Sequence, residues 1–118
     1  MAPENAFPTP TSDCYTVTEY IFNNANEFNA DSNRIMLAGD SAGGNAVAVI
    51  SQKLLAENKK MPKLQILIYP WLQMINSRLP SRIQYHDTGL MRLSLSKFAS
   101  WYLGKYNSCF LIKYDPFF

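Results

Sequence analysis

Charge, histidine and cysteine are all scarce in this sequence. Charged residues make up 17% of its 118 positions, the formal net charge is +2, and there are one histidine and two cysteines. This weak charge excess provides neither a basic tract nor a polyacidic tail, so we expect no binding to nucleic acid or to an anionic membrane surface. No spacing typical of metal ligands occurs, so no metal site is predicted.

Long apolar runs are missing as well. No stretch approaches the roughly 20 residues of a transmembrane helix, and residues 1–5 have neither the basic nor the apolar region of a signal peptide. The two cysteines, Cys14 and Cys109, are far apart in the chain, and we expect buried free thiols rather than a disulfide. The hydrophobic content of 47% predicts one globular unit.

The most informative stretch is a glycine-rich turn between a predicted strand and a predicted helix. An apolar run at residues 35–38 enters the hexapeptide GDSAGG at residues 39–44. A helical period of apolar residues follows, at Val47, Ile50 and Leu54. A phosphate-binding loop would need a lysine after its last glycine, and Asn45 stands there instead. The pattern therefore predicts a strand, a sharp turn and a helix.

The turn fits Gly-x-Ser-x-Gly with Gly39, Ser41 and Gly43, which predicts a nucleophile elbow. In such a turn Ser41 has a strained backbone and projects its hydroxyl above the strand end, and a Cβ at Gly39 or Gly43 is expected to collide with neighbouring backbone. Because Ser41 also starts the helix, the N–H of Ala42 lacks an intrahelical partner and points at any oxyanion on a substrate carbonyl. The turn thus predicts a nucleophile and half an oxyanion hole.

With its flanking motifs, this turn resembles the hormone-sensitive lipase family of serine esterases. The resemblance lies in GDSAGGN at residues 39–45, APENAFP at 2–8 and IYP at 68–70, and the segments YPWLQ at 69–73 and LPS at 79–81 are most similar to the arylacetamide deacetylase branch. It implies an α/β protein with a mostly parallel sheet flanked by helices. It also implies hydrolysis of small apolar carboxylic esters or amides through an acyl-enzyme on Ser41, with Gly43 and Gly44 giving backbone clearance and with no cofactor.

The resemblance further implies that residues 1–118 are a partial α/β-hydrolase domain. In the family a His-Gly-Gly loop before this region supplies the other oxyanion donors, and this sequence contains no His-Gly dipeptide. Sheets of this kind usually need about twice this length or more. We expect both that upstream loop and the downstream region of the triad histidine to be missing.

The branch carries its anchor or signal upstream of the motif that starts here. The resemblance therefore suggests the endoplasmic reticulum or the secretory pathway, although no signal or transmembrane segment is encoded in these residues. Membrane association of the full-length relative stays open.

Three further residues are candidates for a catalytic role. His86 precedes the position expected of a triad base and lies in a polar, turn-rich segment, so a solvated loop histidine is favoured. Asp115 follows a short apolar run that faintly resembles the family segment with the triad acid, and the alternative is a chance acid at a strand end. Glu4 is interpreted as structural, because a catalytic carboxylate needs a partner within hydrogen-bond reach.

The remaining pattern predicts further α/β elements. A first helix has an apolar stripe at Cys14, Val17, Ile21, Ala25 and Phe28. A second runs from Ser41 to about Asn58, a buried parallel strand covers residues 64–69, and an amphipathic helix is capped by Ser94. Strand, helix and strand make one βαβ unit. Beyond the second strand, Trp71 and Leu72 either line an acyl pocket or form ordinary core under a loop.

Two functions from different classes stay open at this point. The first is a serine esterase with Ser41 as its nucleophile. The second is a truncated product without catalysis, because loss of a triad member typically costs on the order of 10⁴-fold in rate. Such a product would act, if at all, as an interaction module through exposed strand edges.

Overall fold

The computed structural model describes residues 2–72 and 92–104. Its elements are α1 (Thr9–Asn23), a 3-10 helix (Ala25–Phe28), β1 (Met36–Asp40), α2 (Ser41–Ala56), β2 (Leu64–Ile68) and α3 (Arg92–Leu103). The chain has two compact units, Thr11–Leu72 and a second unit formed by Met1–Pro10 with Gln73–Phe118. None of the helices in the described ranges is long and apolar enough to cross a membrane.

The Thr11–Leu72 unit contains a βαβ unit. Strands β1 and β2 are parallel, and their register pairs Met36 with Leu64 and Asp40 with Ile68. Parallel strands need a crossover connection, which α2 supplies. The predicted strand, helix and parallel strand are therefore confirmed. Both strands end at the same edge of the sheet, where ligands of open α/β sheets bind.

The core of this unit joins α1, α2 and the start of β1. Its buried side chains are Tyr15, Phe22, Ile50 and Leu54, and Ile35, Leu37 and Ala46 pack against them. These residues come from one helical stripe on α2 and from one side of the strand, as the two periodicities require. Helices α1 and α2 are therefore held to each other by apolar contacts.

Helix α1 buries a different face from the one predicted. Its buried residues are Thr11, Tyr15, Thr18 and Phe22. Cys14 and Val17, which belong to the predicted stripe, are exposed, so the expected burial of the Cys14 thiol is wrong although the thiol is free. The observed face buries the aromatic side chains of Tyr15 and Phe22, and the Thr18 hydroxyl stays satisfied because it donates to the Cys14 carbonyl at 2.8 Å. Cys109 lies outside the described residues.

One face of the two-stranded sheet is open. Leu64, Ile66 and Ile68 of β2 and Met36 of β1 are each about half exposed. Alternate strand residues share a face, so these side chains lie together on the side away from the α1–α2 core. The prediction that residues 64–69 form a buried strand is wrong in this respect, because parallel strands are buried only where both faces of the sheet are covered.

A charged cluster links α1 to the end of α2. The Lys59 ammonium lies 2.5 Å from Glu19 Oε1 and 2.8 Å from Glu57 Oε2. It also donates to the Tyr15 hydroxyl at 2.9 Å, and that hydroxyl donates to Glu57. The Lys59 side chain is 42% exposed, so solvent screening keeps the stabilisation by these pairs small.

The second unit contains α3 and the N-terminal turns. Ala99 and Leu103 are buried, and the Phe7 N–H donates to the Tyr102 carbonyl at 2.7 Å. The predicted amphipathic helix is confirmed. It begins at Arg92, so Ser94 lies inside the helix and the prediction that it caps the helix is wrong.

A buried hydroxyl in α2 leads to the first testable prediction. The Ser51 side chain is 3% exposed, and its Oγ has no hydrogen-bond partner among the residues that the structure describes. Burial of an unpaired hydroxyl is costly, and alanine also has the higher helix propensity. We expect Ser51→Ala to raise the free energy of unfolding by about 1 kcal/mol, measured by urea denaturation.

Ser100 provides the matched control, because it lies inside α3 and is exposed. Ser100→Ala should show only the helix-propensity part of the gain. Equal gains for the two variants would mean that the buried Ser51 hydroxyl carries no desolvation cost.

Candidate active site

The strand-to-helix turn has the strained geometry that the sequence predicts. β1 ends at Asp40 and α2 begins at Ser41, with no residue between them. Ser41 has a φ of 47°, in the left-handed region that non-glycine residues seldom occupy. Its side chain is exposed. Strain of this kind persists where surrounding contacts hold it in place, and it concentrates at functional sites.

The glycines of the turn differ in how closely they are packed. A Cβ on Gly39 would lie 2.4 Å from the carbonyl carbon and oxygen of Gly43, so the prediction for Gly39 is confirmed. A Cβ on Gly44 would lie 2.9 Å from Pro70 Cβ, whereas one on Gly43 would lie 3.8 Å from Asp40 Oδ1, an ordinary contact. The predicted collision at Gly43 is therefore wrong, and the close approach occurs at Gly44.

The helical stripe explains this difference. Gly44 is buried and lies on the same face of α2 as Val47, while Gly43 is exposed. The sequence signal for the burial of Gly44 is its three-residue spacing from Val47, since residues three apart share a helix face.

The segment after β2 is bonded to the turn. The Trp71 N–H donates to the Ser41 carbonyl at 3.4 Å. The Asn45 side-chain amide donates to the Trp71 carbonyl at 2.9 Å. With Gly44 packed against Pro70, these contacts surround the first turn of α2. Sequence reasoning missed Asn45, because its partner lies 26 residues away in the chain.

The start of α2 exposes N–H groups that its neighbouring side chain does not cap. Asp40 occupies the N-cap position, yet its side chain makes no capping hydrogen bond. Instead its Oδ2 accepts a hydrogen bond from the Tyr69 hydroxyl at 3.1 Å. The Ala42 N–H lies in the first turn, where no intrahelical acceptor exists. The positive end of the helix dipole therefore lies beside the Ser41 hydroxyl.

Tyr69 has an unusual backbone conformation and a raised pKa. Its φ is 35°, which is rare for a bulky residue. The hydrogen bond to the Asp40 carboxylate, the nearby negative charge and partial desolvation raise the pKa of Tyr69 above its usual value. The phenol therefore stays protonated throughout the physiological pH range, and its O–H donates a hydrogen bond to the Asp40 carboxylate.

The other predicted site residues are placed as follows. Trp71 is half-buried beside the turn, and Leu72 is 58% exposed. Glu4 is exposed, in the N-terminal turns of the second unit. His86 and Asp115 lie outside the described residues. No group of three or more His, Cys, Asp or Glu side chains in the described ranges is placed to hold a metal ion.

The geometry brings a hydroxyl and a helix N-terminus to one exposed point. Ser41 could attack an electrophilic carbon, and the Ala42 N–H could bind the negative oxygen that results. A base must accept the serine proton for rapid attack. The only histidine of the sequence lies outside the described residues.

Comparison with known proteins identifies the fold of the chain. The protein family described as alpha/beta hydrolase fold matches residues 1–110. Arylacetamide deacetylase of Bos taurus is 37% identical over 107 residues, which is 86% of this chain and 27% of that protein. Carboxylesterase NlhH of Mycobacterium tuberculosis is 37% identical over 106 residues, which is 87% of this chain and 32% of that protein.

A solved esterase structure is similar in fold. The Pyrobaculum calidifontis esterase superposes with a TM-score of 0.85 at 31% sequence identity, and the match covers 94% of this chain and 37% of that one. The chain thus spans about a third of the length of the proteins it resembles.

Proposed function

The chain belongs to the alpha/beta hydrolase family, and on that premise we propose that Ser41 is the nucleophile of a serine hydrolase. The observation that carries the proposal is the exposed serine at φ 47°, placed where the uncapped start of α2 follows β1. A strained, exposed serine beside free helix N–H groups is suited to attack on a carbonyl carbon.

The proposed reaction proceeds through an acyl-enzyme. Ser41 Oγ bonds to the acyl carbon while a base takes the serine proton, and the Ala42 N–H stabilises the resulting oxyanion. The oxyanion collapses, the bond to the alcohol or amine breaks, and the proton passes to the leaving group. Water then adds to the acyl carbon while the base takes one of the water protons. The bond to Ser41 Oγ breaks, the carboxylic acid leaves, and the base passes the proton from water to Ser41 Oγ. No step uses a cofactor.

The proposed substrates are small apolar carboxylic esters or amides. Relatives named carboxylesterase and arylacetamide deacetylase support this class. Trp71 and Leu72 offer apolar surface at the carboxyl edge of the strands, beside Ser41. Asp115 stays a candidate for the acid of the triad and His86 a weaker one for its base.

A second candidate is a fragment that does not catalyse and acts through contacts with a partner protein. The half-exposed apolar residues on the open face of the sheet favour it. It is distinguished from the first by the reactivity of Ser41.

The test is intact-mass spectrometry of the 118-residue chain after incubation with a fluorophosphonate, which reacts with activated serine hydroxyls. We expect one adduct per chain, and none on Ser41→Ala. Ser12→Ala, which removes another exposed serine, should be labelled like the unchanged chain. A folded chain without an adduct would exclude an activated Ser41 and favour the second candidate.

A further inference from the structure

An unusual feature of the elbow is that its N-cap residue does not cap the helix. Aspartate is among the strongest N-cap residues, and its carboxylate normally accepts the N–H of the second or third helical residue. In α2 these residues are Ala42 and Gly43. Asp40 already has the extended backbone of an N-cap residue, with φ −106° and ψ 149°. The capping bond is therefore missing because of the position of the Asp40 side chain, and not because of its backbone conformation.

The Asp40 carboxylate lies close to the N–H groups that it leaves uncapped. A Cβ on Gly43 would lie 3.8 Å from Asp40 Oδ1, so that oxygen is beside the first turn of α2. The other oxygen, Oδ2, accepts the Tyr69 hydroxyl at 3.1 Å. Without the Tyr69 bond, the Asp40 side chain is free to rotate toward a capping bond.

Tyr69 is in turn held by its own position after β2. It follows Ile68, which pairs with Asp40 across the sheet, and its φ of 35° turns the chain sharply. Trp71, two residues later, is hydrogen-bonded to the turn through Ser41 and Asn45. The backbone on both sides of Tyr69 is thus held in place, which is the condition under which backbone strain is retained, and the phenol reaches Asp40 from there.

We propose that Tyr69 is a positioning residue: its hydrogen bond to Asp40 keeps that carboxylate from capping α2 and so leaves the Ala42 and Gly43 N–H groups open for a substrate oxyanion. The inference rests on the proposed role of Ser41. A capping carboxylate would harm catalysis in two ways. It would occupy a donor that the oxyanion needs, and it would bring the Asp40 charge closer to the negative charge that develops on the substrate.

Amide hydrogen exchange of the 118-residue chain, followed by NMR, tests the structural part directly. In the unchanged chain the Ala42 and Gly43 amides should exchange without protection. In Tyr69→Phe the freed carboxylate should cap the helix and slow exchange of one of these amides about fivefold or more, the effect of one capping bond.

Tyr20→Phe is the matched control. It also removes a phenol that donates to a carboxylate, in this case Glu27 at 2.8 Å, and it should leave both amides unchanged. Equal exchange of both amides in Tyr69→Phe and the unchanged chain would overturn the proposal. If Tyr69→Phe does not fold, exchange of the Ala42 and Gly43 amides is compared between the unchanged chain and Asp40→Ala. Equal exchange is expected, because Asp40 does not cap these amides in the unchanged chain. Slower exchange in the unchanged chain would mean that Asp40 caps them and would contradict the proposal.

Fluorophosphonate kinetics test the catalytic part. We expect Tyr69→Phe to lower the maximal rate of Ser41 labelling about tenfold or more, with little change in the reagent concentration that gives half of that rate. In Tyr69→Phe/Asp40→Ala the rate should return to that of Asp40→Ala alone, because no carboxylate is left to cap the helix. A double variant as slow as Tyr69→Phe would contradict the proposal. If the unchanged chain is not labelled at all, the proposed function fails, and hydrogen exchange alone decides the role of Tyr69.

Discussion

Replacement of Gly39 by alanine is expected to prevent the Thr11–Leu72 unit from folding into its present form. The added Cβ would lie 2.4 Å from the Gly43 carbonyl group and 2.7 Å from the Gly44 nitrogen. Both contacts are with backbone, which cannot move aside as a flexible side chain can. Overpacked sites usually cost 1 to 3 kcal/mol even after relaxation, and we expect at least about 3 kcal/mol here. Urea denaturation followed by circular dichroism measures the loss.

Gly43→Ala provides the contrast within the same turn. Its Cβ would lie 3.8 Å from Asp40 Oδ1, an ordinary contact, and glycine inside a helix is less stable than alanine by about 1 kcal/mol. Gly43→Ala should therefore keep or raise the stability of the chain. Equal losses of stability in the two variants would mean that the close packing of strand against helix at Gly39 does not cause the loss.

Local patterns were sufficient to predict the strand, turn and helix. GDSAGG places its glycines and serine within six residues, so the steric requirements of the turn are visible without knowledge of the rest of the fold. Strand β2 was also predictable as a parallel partner of β1, since an apolar run of that length after a helix forms a βαβ unit. These elements position Ser41 and the start of α2.

Contacts between distant parts of the chain were not predictable in the same way. The bond from Tyr69 to Asp40 joins residues 29 positions apart, and it depends on the register of the strands and on the backbone of Tyr69. The buried face of α1 was mispredicted for a related reason. Two faces of that helix compete for burial, and the choice between them depends on the shape of the core that α2 and β1 provide.

Replacement of Leu54 by alanine is expected to cause the second large loss of stability. Leu54 is 1% exposed and packs in the core that joins α1 to α2. It also lines an open groove of about 220 Å³, together with Phe22 and Lys59. Removal of the leucine side chain leaves a cavity beside that groove, and losses of about 2 to 5 kcal/mol are typical of such changes. The midpoint of urea unfolding should fall accordingly.

Leu55→Ala is the control that isolates burial, because Leu55 is the next residue of α2 and is 64% exposed. It should change the free energy of unfolding by no more than about 0.5 kcal/mol. Equal losses in the two variants would contradict the assigned buried face of α2. Leu54 lies about 20 Å along the helix from Ser41, at 1.5 Å per residue. Fluorophosphonate should therefore label the folded fraction of Leu54→Ala at the rate of the unchanged chain, which separates the stability of the helix from the reactivity at its start.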